Sequence, residues 1–428
     1  MQVTDKKISD TEILIEVKVS QEPLKEAKEV ALVKIRSEVK IPGFRKNTAP
    51  LKLVEKNVEE SYLHSKIIDS AISKSYIEAI NKLKYRTLNY PKVEIKKFVP
   101  DSILEYVAST EIWPEVKLAD YKSIKKTMPA VSVKKDEIEK IIDDLRQKAA
   151  KKEESKKQAK KGDEVLIDFA GKDQKGKEVP GAKGKDFPLV LGTNRFIDGF
   201  EDNLIGVSEG QEKQFDLAFP KDYFHEPLRG AKVKFNVKVN KVYNVITPSA
   251  NDEFAKKIGN FTGIDELKKD IKKQLGQHKE KESLDKLKDD IVSEIIKKSK
   301  IPVPKTLQED QEKELLNDLK RNLIYRGITF DEYLKQINQS EEEYINKVVS
   351  PKASLRVKAS LAIEKIAKAE KINASDEEIN QRIKFLKAQY KNPDEEGALN
   401  SEETRSSIAS RLITEKTVSR LLDYATEK

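Results

Sequence analysis

The sequence predicts a multidomain α+β protein: an N-terminal α+β domain, a central antiparallel β domain and an all-α C-terminal body. Three observations predict it. The chain has 428 residues, several times what one domain of roughly 150 residues needs. Apolar residues alternate with period two near the N-terminus and again beyond residue 164, whereas elsewhere they recur every three or four residues. The 16 glycines concentrate between Gly162 and Gly230, where a hairpin-rich domain needs turns.

Residues 12 to 19 put Ile13, Ile15, Val17 and Val19 on one face, the period of a half-buried strand. Pro23 suits the first turn of a helix running to about Val39. Beyond the loop IPGFRKNTAP, Ile68, Ile72, Tyr76, Ala79 and Leu83 form one helical stripe. KVEIKKFV from Lys92 and ILEYVAST from Ile103 read as strands that close a domain over residues 1–112. A helix follows from about Asp136 and runs into RQKAAKKEESKKQAKKG, which has almost nothing apolar and reads as a solvated connector. Residues 113–159 are therefore a linker and helical segment.

From Gly162 the alternating sets are Val165, Ile167 and Phe169; Leu189 and Leu191; Phe215, Leu217 and Phe219; and Val233, Phe235, Val237 and Val239. They predict an antiparallel β domain over residues 160–245. Residues 246–428 read as helical, with Leu284, Leu287, Ile291 and Ile295 in a stripe that stops at Ile301-Pro302-Val303-Pro304. Thr329 with Glu332, Ser340 with Glu343 and Ser375 with Glu378 have capping-box spacing and mark three helix starts. The faces opposite the apolar stripes are crowded with Lys and Glu, which predicts an open helical array.

Composition excludes much chemistry. With no Cys there is no disulfide, no thiolate nucleophile and no Cys-based zinc site, and His64, His225 and His278 are too scattered to form a cluster. No metal and no cofactor is expected. The N-terminal MQVTDKKISDTEILIEV is interrupted by acids, and nowhere do about 18 apolar residues follow one another. The expectation is a cytoplasmic protein with no membrane partner. Charged residues make up 37% of the chain and the net charge is +9, with acids interleaved among the bases. That balance reads as a solvated surface more than as a polyanion-binding one.

Gly171 to Lys177 fits the first seven positions of a phosphate-binding loop, but Glu178 stands where a Ser or Thr is required. Val179-Pro180-Gly181 then denies the following helix, so a β-turn is the better reading. Gly206-Val207-Ser208-Glu209-Gly210 has nucleophile-elbow spacing, yet QEKQFDLAF after it alternates as a strand. Residues 31–50 are different, holding Lys34, Arg36, Lys40, Arg45 and Lys46 against Glu38 alone. At their centre Phe44 sits beside two cations in a loop pinned by Pro42, Gly43 and Pro50. An exposed aromatic on a rigid tip can anchor in a partner's pocket while its neighbours bind phosphate or carboxylate. The alternative is a Phe tucked into its own domain.

Gly43-Phe44-Arg45-Lys46 followed by Pro50 resembles the GFRxGxxP signature of the bacterial trigger factor family of ribosome-associated chaperones. The resemblance covers essentially the whole chain, since residues 162–242 look like an FKBP-type peptidyl-prolyl isomerase domain and the helical remainder like the family's chaperone body. It implies docking through Gly43, Phe44, Arg45 and Lys46 on the large ribosomal subunit beside the exit tunnel, against protein and ribosomal RNA. It further implies that the segment within 113–159, from about Trp113 to Ala150, packs with the C-terminal body over residues 246–428 and that nascent polypeptides are clients, and a homodimer away from the ribosome is compatible with it. The loop departs from the pattern at Asn47 and Thr48. Asn tolerates a positive φ, so the turn survives, but one cation is missing.

VLIDFAG from Val165, Leu191-Gly192, Phe196 to Glu201 and Phe219 to Tyr223 are similar to the pocket segments of FKBP-type isomerases. The resemblance carries over Phe169, Phe187, Phe196, Phe200, Tyr223 and Phe235 as pocket walls, and the Ile197 backbone N–H as the group that holds a substrate carbonyl. Val179 stands where the family usually has Phe, which removes part of the wall and suggests a weaker enzyme. Rotating an X-Pro bond crosses a barrier of about 20 kcal/mol set by amide resonance and needs no nucleophile or metal. An apolar cleft favours the twisted amide, which is less charge-separated than the planar one. Three other readings stay open here: these aromatics as mere core of a small barrel, the whole chain as a basic RNA-binding or ribosome-assembly protein, and a chaperone whose isomerase domain is inactive because of Val179.

Overall fold

In a computed structural model the chain forms two compact units, one of Met1–Met128 with Asp285–Lys428, the other of Pro129–Leu284. The structure describes residues 1–45, 47–173, 176–220, 223, 228–388 and 401–427, with Pro180 by its backbone alone. Among these, no helix is long and apolar enough to cross a membrane.

The first unit begins with an antiparallel sheet of β1 (Gln2–Lys7), β2 (Glu12–Val19), β3 (Lys92–Val99) and β4 (Ile103–Glu111), ordered β1-β2-β4-β3. The alternation along β2 decides which face is buried. Its register sets Ile13, Ile15, Val17 and Val19 opposite Thr110, Ala108, Tyr106 and Leu104, all eight at 2% exposure or less. The Tyr106 hydroxyl, drawn into this core, lies 2.8 Å from the Ser75 hydroxyl, so it is not left unpaired.

Helices α1 (Gln21–Glu38), α2 (Leu51–Asn57) and α3 (Glu60–Leu83) contribute to that core. On α3 the most buried row is Leu63, Ile67, Ala71, Ser75 and Ala79. Of the predicted stripe, Ala79 is in this row, whereas Ile68, Ile72, Tyr76 and Leu83 only flank it, half-buried. The centre carries small side chains because close approach of helix and sheet leaves little room there. β1 escaped the sequence reading for a related reason. Its side chains are almost all exposed, so no alternation marks it.

In the second unit α4 (Lys135–Lys148) precedes β5 (Lys151–Glu154), β6 (Glu164–Lys172), β7 (Glu178–Val190), β8 (Glu212–Ala218) and β9 (Lys232–Ile246). The sheet runs β5-β9-β6-β7, with β8 also paired to β9. Val165, Ile167, Leu189, Leu191, Val233, Phe235, Val237 and Val239 are all buried, as the alternation requires. β5 corrects the connector reading: KKEE is fully exposed yet pairs with the end of β9. Main-chain bonds make the strand, assisted by ion pairs of Lys152 with Glu164 at 2.7 Å and Glu154 with Lys241 at 3.0 Å. Helix α5 (Asp252–Ile258) and the part of α6 (Ile264–Lys298) up to Leu284 pack Phe254, Leu267 and Ile271 against Ile142 of α4.

Among the described residues the remaining α-helices are α7 (Lys305–Tyr325), α8 (Phe330–Gln336), α9 (Glu341–Tyr344), α10 (Ser350–Ala369), α11 (Asp376–Lys387) and α12 (Glu402–Thr426). All three capping boxes form: the N–H groups of Thr329, Ser340 and Ser375 donate to Glu332, Glu343 and Glu378, while the acids' own N–H groups return to the hydroxyls. Several small apolar clusters hold this body, among them Leu287, Ile291 and Ile295 with Ile366 and Leu421, and Ile379 and Ile383 with Ile408. One polar knot reinforces them. Glu370, just past α10, accepts from Lys122 at 2.8 Å, Tyr121 at 2.7 Å and Tyr424 at 2.8 Å, and these partners pull its pKa down to about 2.

Candidate functional site

Six of the residues singled out for the pocket are aromatic, and the fold brings them into one connected cluster. Phe169 comes from β6, Phe187 from β7 and Phe235 from β9, while Phe196, Phe200 and Tyr223 come from connections. Phe200 is completely buried and central: it stacks on Phe196 at 4.4 Å and meets Phe169, Phe215 and Phe235 edge-on at 6.0, 5.2 and 5.2 Å. Phe187 is the exposed end, 40% accessible, touching Phe169 at 5.9 Å and Phe196 at 5.4 Å. Tyr223 joins from the other side through Phe219, at 4.7 Å. Phe215 and Phe219, read from the sequence only as strand residues, complete the ring network. The cluster thus grades from an accessible aromatic rim to a dry aromatic floor, a surface on which a proline ring can leave water.

Backbone geometry supports this arrangement. A Cβ on Gly184 would lie 2.5 Å from Phe169 Cε1, so the ring takes the space a side chain on β7 would fill. Val179 is 7% exposed and belongs to the domain core. Ile197 is half-buried at the edge of the same core, and among the described residues its N–H has no acceptor. Of the phosphate-loop-like stretch, Gly171 and Lys172 end β6 and Glu178, just past it, begins β7, so no helix follows it, and Ser208 leads into strand β8 with no helix after it.

The residue that sequence reasoning passed over is Glu201. It is 5% exposed, and its Oε2 accepts the N–H groups of Gly192 at 2.7 Å and Asn194 at 3.0 Å. Its Oε1 accepts those of Arg195 at 2.7 Å and Phe196 at 3.3 Å. Burial pushes the carboxyl pKa up, but the four N–H bonds outweigh it and hold the group below the usual carboxylate range.

The second predicted site is the loop after α1. Ile41 and Ala49 are buried and tie down its two ends. Between them Gly43 takes φ +82° and Asn47 φ +69°, so Asn47 keeps the left-handed turn. Phe44 N–H donates to Ile41 O at 3.2 Å, Thr48 Oγ1 donates to Arg45 O at 2.6 Å, and Arg36 Nε donates to Asn47 Oδ1 at 3.3 Å. Phe44 is 37% exposed at the tip and Arg45 is exposed beside it; Lys46 lies outside the described residues. The window's single acid, Glu38, is occupied by Tyr62 at 2.7 Å and Lys66 at 3.3 Å, which hold its pKa low and neutralise it away from the tip.

Family models match along the chain in order: bacterial trigger factor protein over residues 1–145, FKBP-type peptidyl-prolyl cis-trans isomerase over 155–240, and the trigger factor C-terminus over 263–423. The trigger factor of Pelotomaculum thermopropionicum is 31% identical over 430 residues, covering 99% of this chain and 97% of that one. The chain belongs to the bacterial trigger factor family. Its relative from Clostridium tetani is 30% identical over 433 residues, covering 100% of both. A solved structure of a trigger factor chaperone superposes with a TM-score of 0.52 over 99% of each chain at 20% identity, a likeness of fold.

Membership makes this protein a ribosome-associated chaperone that carries an FKBP-type peptidyl-prolyl isomerase domain. The ribosome and nascent chains are its partners. The domain's chemistry asks only for a dry aromatic surface and a hydrogen-bond donor for the carbonyl, with no group that titrates or transfers.

Proposed function

We propose that the loop from Ile41 to Pro50 docks the protein on the large ribosomal subunit beside the exit tunnel, where ribosomal protein and RNA meet. Phe44 enters an apolar pocket, Gly43 lets the backbone turn there, and Arg45 and Lys46 contact phosphate or carboxylate. The observation that carries this is the tip itself: an accessible aromatic beside an exposed arginine, on a loop whose ends are buried. Nascent chains leaving the tunnel are held on apolar surface dispersed over the helical body, and the isomerase domain turns their X-Pro bonds. Its site comprises Phe169, Phe187, Phe196, Phe200, Tyr223 and Phe235, the Ile197 N–H, and Val179 behind the wall. The working division is ribosome docking by 1–112, a connecting segment 113–159, isomerisation by 160–245 and client holding by 246–428, in the cytoplasm, with a homodimer away from the ribosome.

Ribosome co-sedimentation of wild type beside a Phe44→Ala, Arg45→Ala, Lys46→Ala variant tests the docking. The variant should keep the wild-type circular dichroism and lose binding, and wild-type binding should weaken with salt. Undiminished co-sedimentation of the variant in moderate salt would place docking elsewhere.

A further inference from the structure

The segment from Gly192 to Phe196 belongs to no strand or helix, so its backbone N–H groups have no ladder to satisfy them. Gly192 at φ +91° and Asn194 at φ +53° alternate the backbone hand, and such alternation turns successive N–H groups toward one point, a concavity suited to an anion. The protein supplies the anion itself. Glu201 fills the concavity, and four of the segment's N–H groups end on its two oxygens, two on each. The next N–H in the chain after these four, that of Ile197, has no acceptor among the described residues. The same segment carries the Phe196 ring that stacks on Phe200.

We propose that Glu201 is the positioning residue of the isomerase: its carboxylate fixes the 192–196 backbone so that the Phe196 ring and the Ile197 N–H face the substrate together. The inference rests on the aromatic cluster being the isomerase site. Glu201 does not touch substrate. It acts by preorganisation, replacing a loop that would otherwise have to order itself around each X-Pro bond. Two oxygens serving two N–H groups each make the position selective. A glutamine of the same shape has one oxygen, and whichever way its amide is turned, its NH₂ faces two N–H donors.

The test uses the full chain, an X-Pro peptide with an apolar residue before proline, NMR exchange for turnover and calorimetry for peptide affinity, at a temperature where every variant is folded. E201Q should lose about tenfold or more in kcat/KM, while the peptide Kd moves less than about threefold because the apolar walls remain. E201D, which restores the charge at shorter reach, should recover part of the loss. The amide resonances of Gly192, Asn194, Arg195, Phe196 and Ile197 should move in E201Q. Phe196→Ala is the control for the site. E201Q at wild-type turnover beside an impaired Phe196→Ala overturns the positioning role and leaves the site standing; both variants at wild-type turnover overturn the site. E201D no better than E201Q, with Kd weakened in proportion, makes Glu201 merely structural and overturns the proposal. Should E201Q fail to fold, E201D decides alone: a fall in kcat/KM at unchanged Kd supports the role, and wild-type turnover overturns it.

Discussion

Replacing Phe200 by Leu removes the ring at the centre of the aromatic cluster while keeping most of its apolar volume. The ring is fully buried and, among the described residues, has four aromatic neighbours, Phe169, Phe196, Phe215 and Phe235. Each pair contributes about 0.5–1.5 kcal/mol beyond burial, and the pairs share one ring, so they do not add fully. With Leu refilling much of the space, the net loss should be about 2–3 kcal/mol, against about 3–5 kcal/mol for Ala. In a domain of this size that lowers Tm by about 8–24 °C. Near-UV circular dichroism of the isolated domain reads the melting, and NMR exchange on an X-Pro peptide, well below the lower Tm, reads the turnover. Because Leu cannot present the flat floor on which a proline ring seats, kcat/KM should fall about tenfold. An unchanged Tm would refute the packing argument. A lowered Tm with wild-type turnover would refute the placement of the chemistry.

Glu370 makes stability pH-dependent in a definite direction. Its carboxyl has a folded pKa of about 2 against an ordinary 4.5, held down by Lys122, Tyr121 and Tyr424, so its contribution is present above about pH 4.5 and is lost as pH falls toward 2. Urea unfolding should show Glu370→Gln less stable by about 1–2 kcal/mol at pH 7, with the difference vanishing near pH 2; a constant difference would discount the knot. Deleting residues 151–246 tests where clients are held. Lys151 and Ile246 are register partners, about 5 Å apart, so Ala150 can be joined to Thr247 without strain. The deleted protein should stay helical and still suppress aggregation of a refolding protein, and loss of suppression at full helicity would move client binding to the β domain.

Strands β2, β3, β4 and β6 to β9 were legible in the chain because each carries alternation or a bounded apolar run, and the three capping boxes because their partners lie three residues apart. The aromatic positions of the proposed pocket were named from a resemblance to FKBP-type segments, and the fold gathers them into one cluster. β1 and β5 were not legible: both are edge strands made by main-chain bonds, and QVTDKK and KKEE carry no side-chain pattern to report. The centre of α3 escaped for a different reason. Ala71 and Ser75 are buried by how closely helix and sheet approach, a distance that periodicity does not encode.

Glu201 shows the same limit at the site. In the sequence it closes a stretch similar to an FKBP-type pocket segment, but nothing there gives the carboxylate a partner or a role. Its partners are backbone N–H groups five to nine residues earlier, and only left-handed turns at Gly192 and Asn194 bring them to one point. Side-chain types specify which surfaces leave water and where local caps form, since those depend on neighbours along the chain. The convergence of donors on one buried carboxylate depends on dihedral angles and long-range closure, and so it is visible only once the chain is folded.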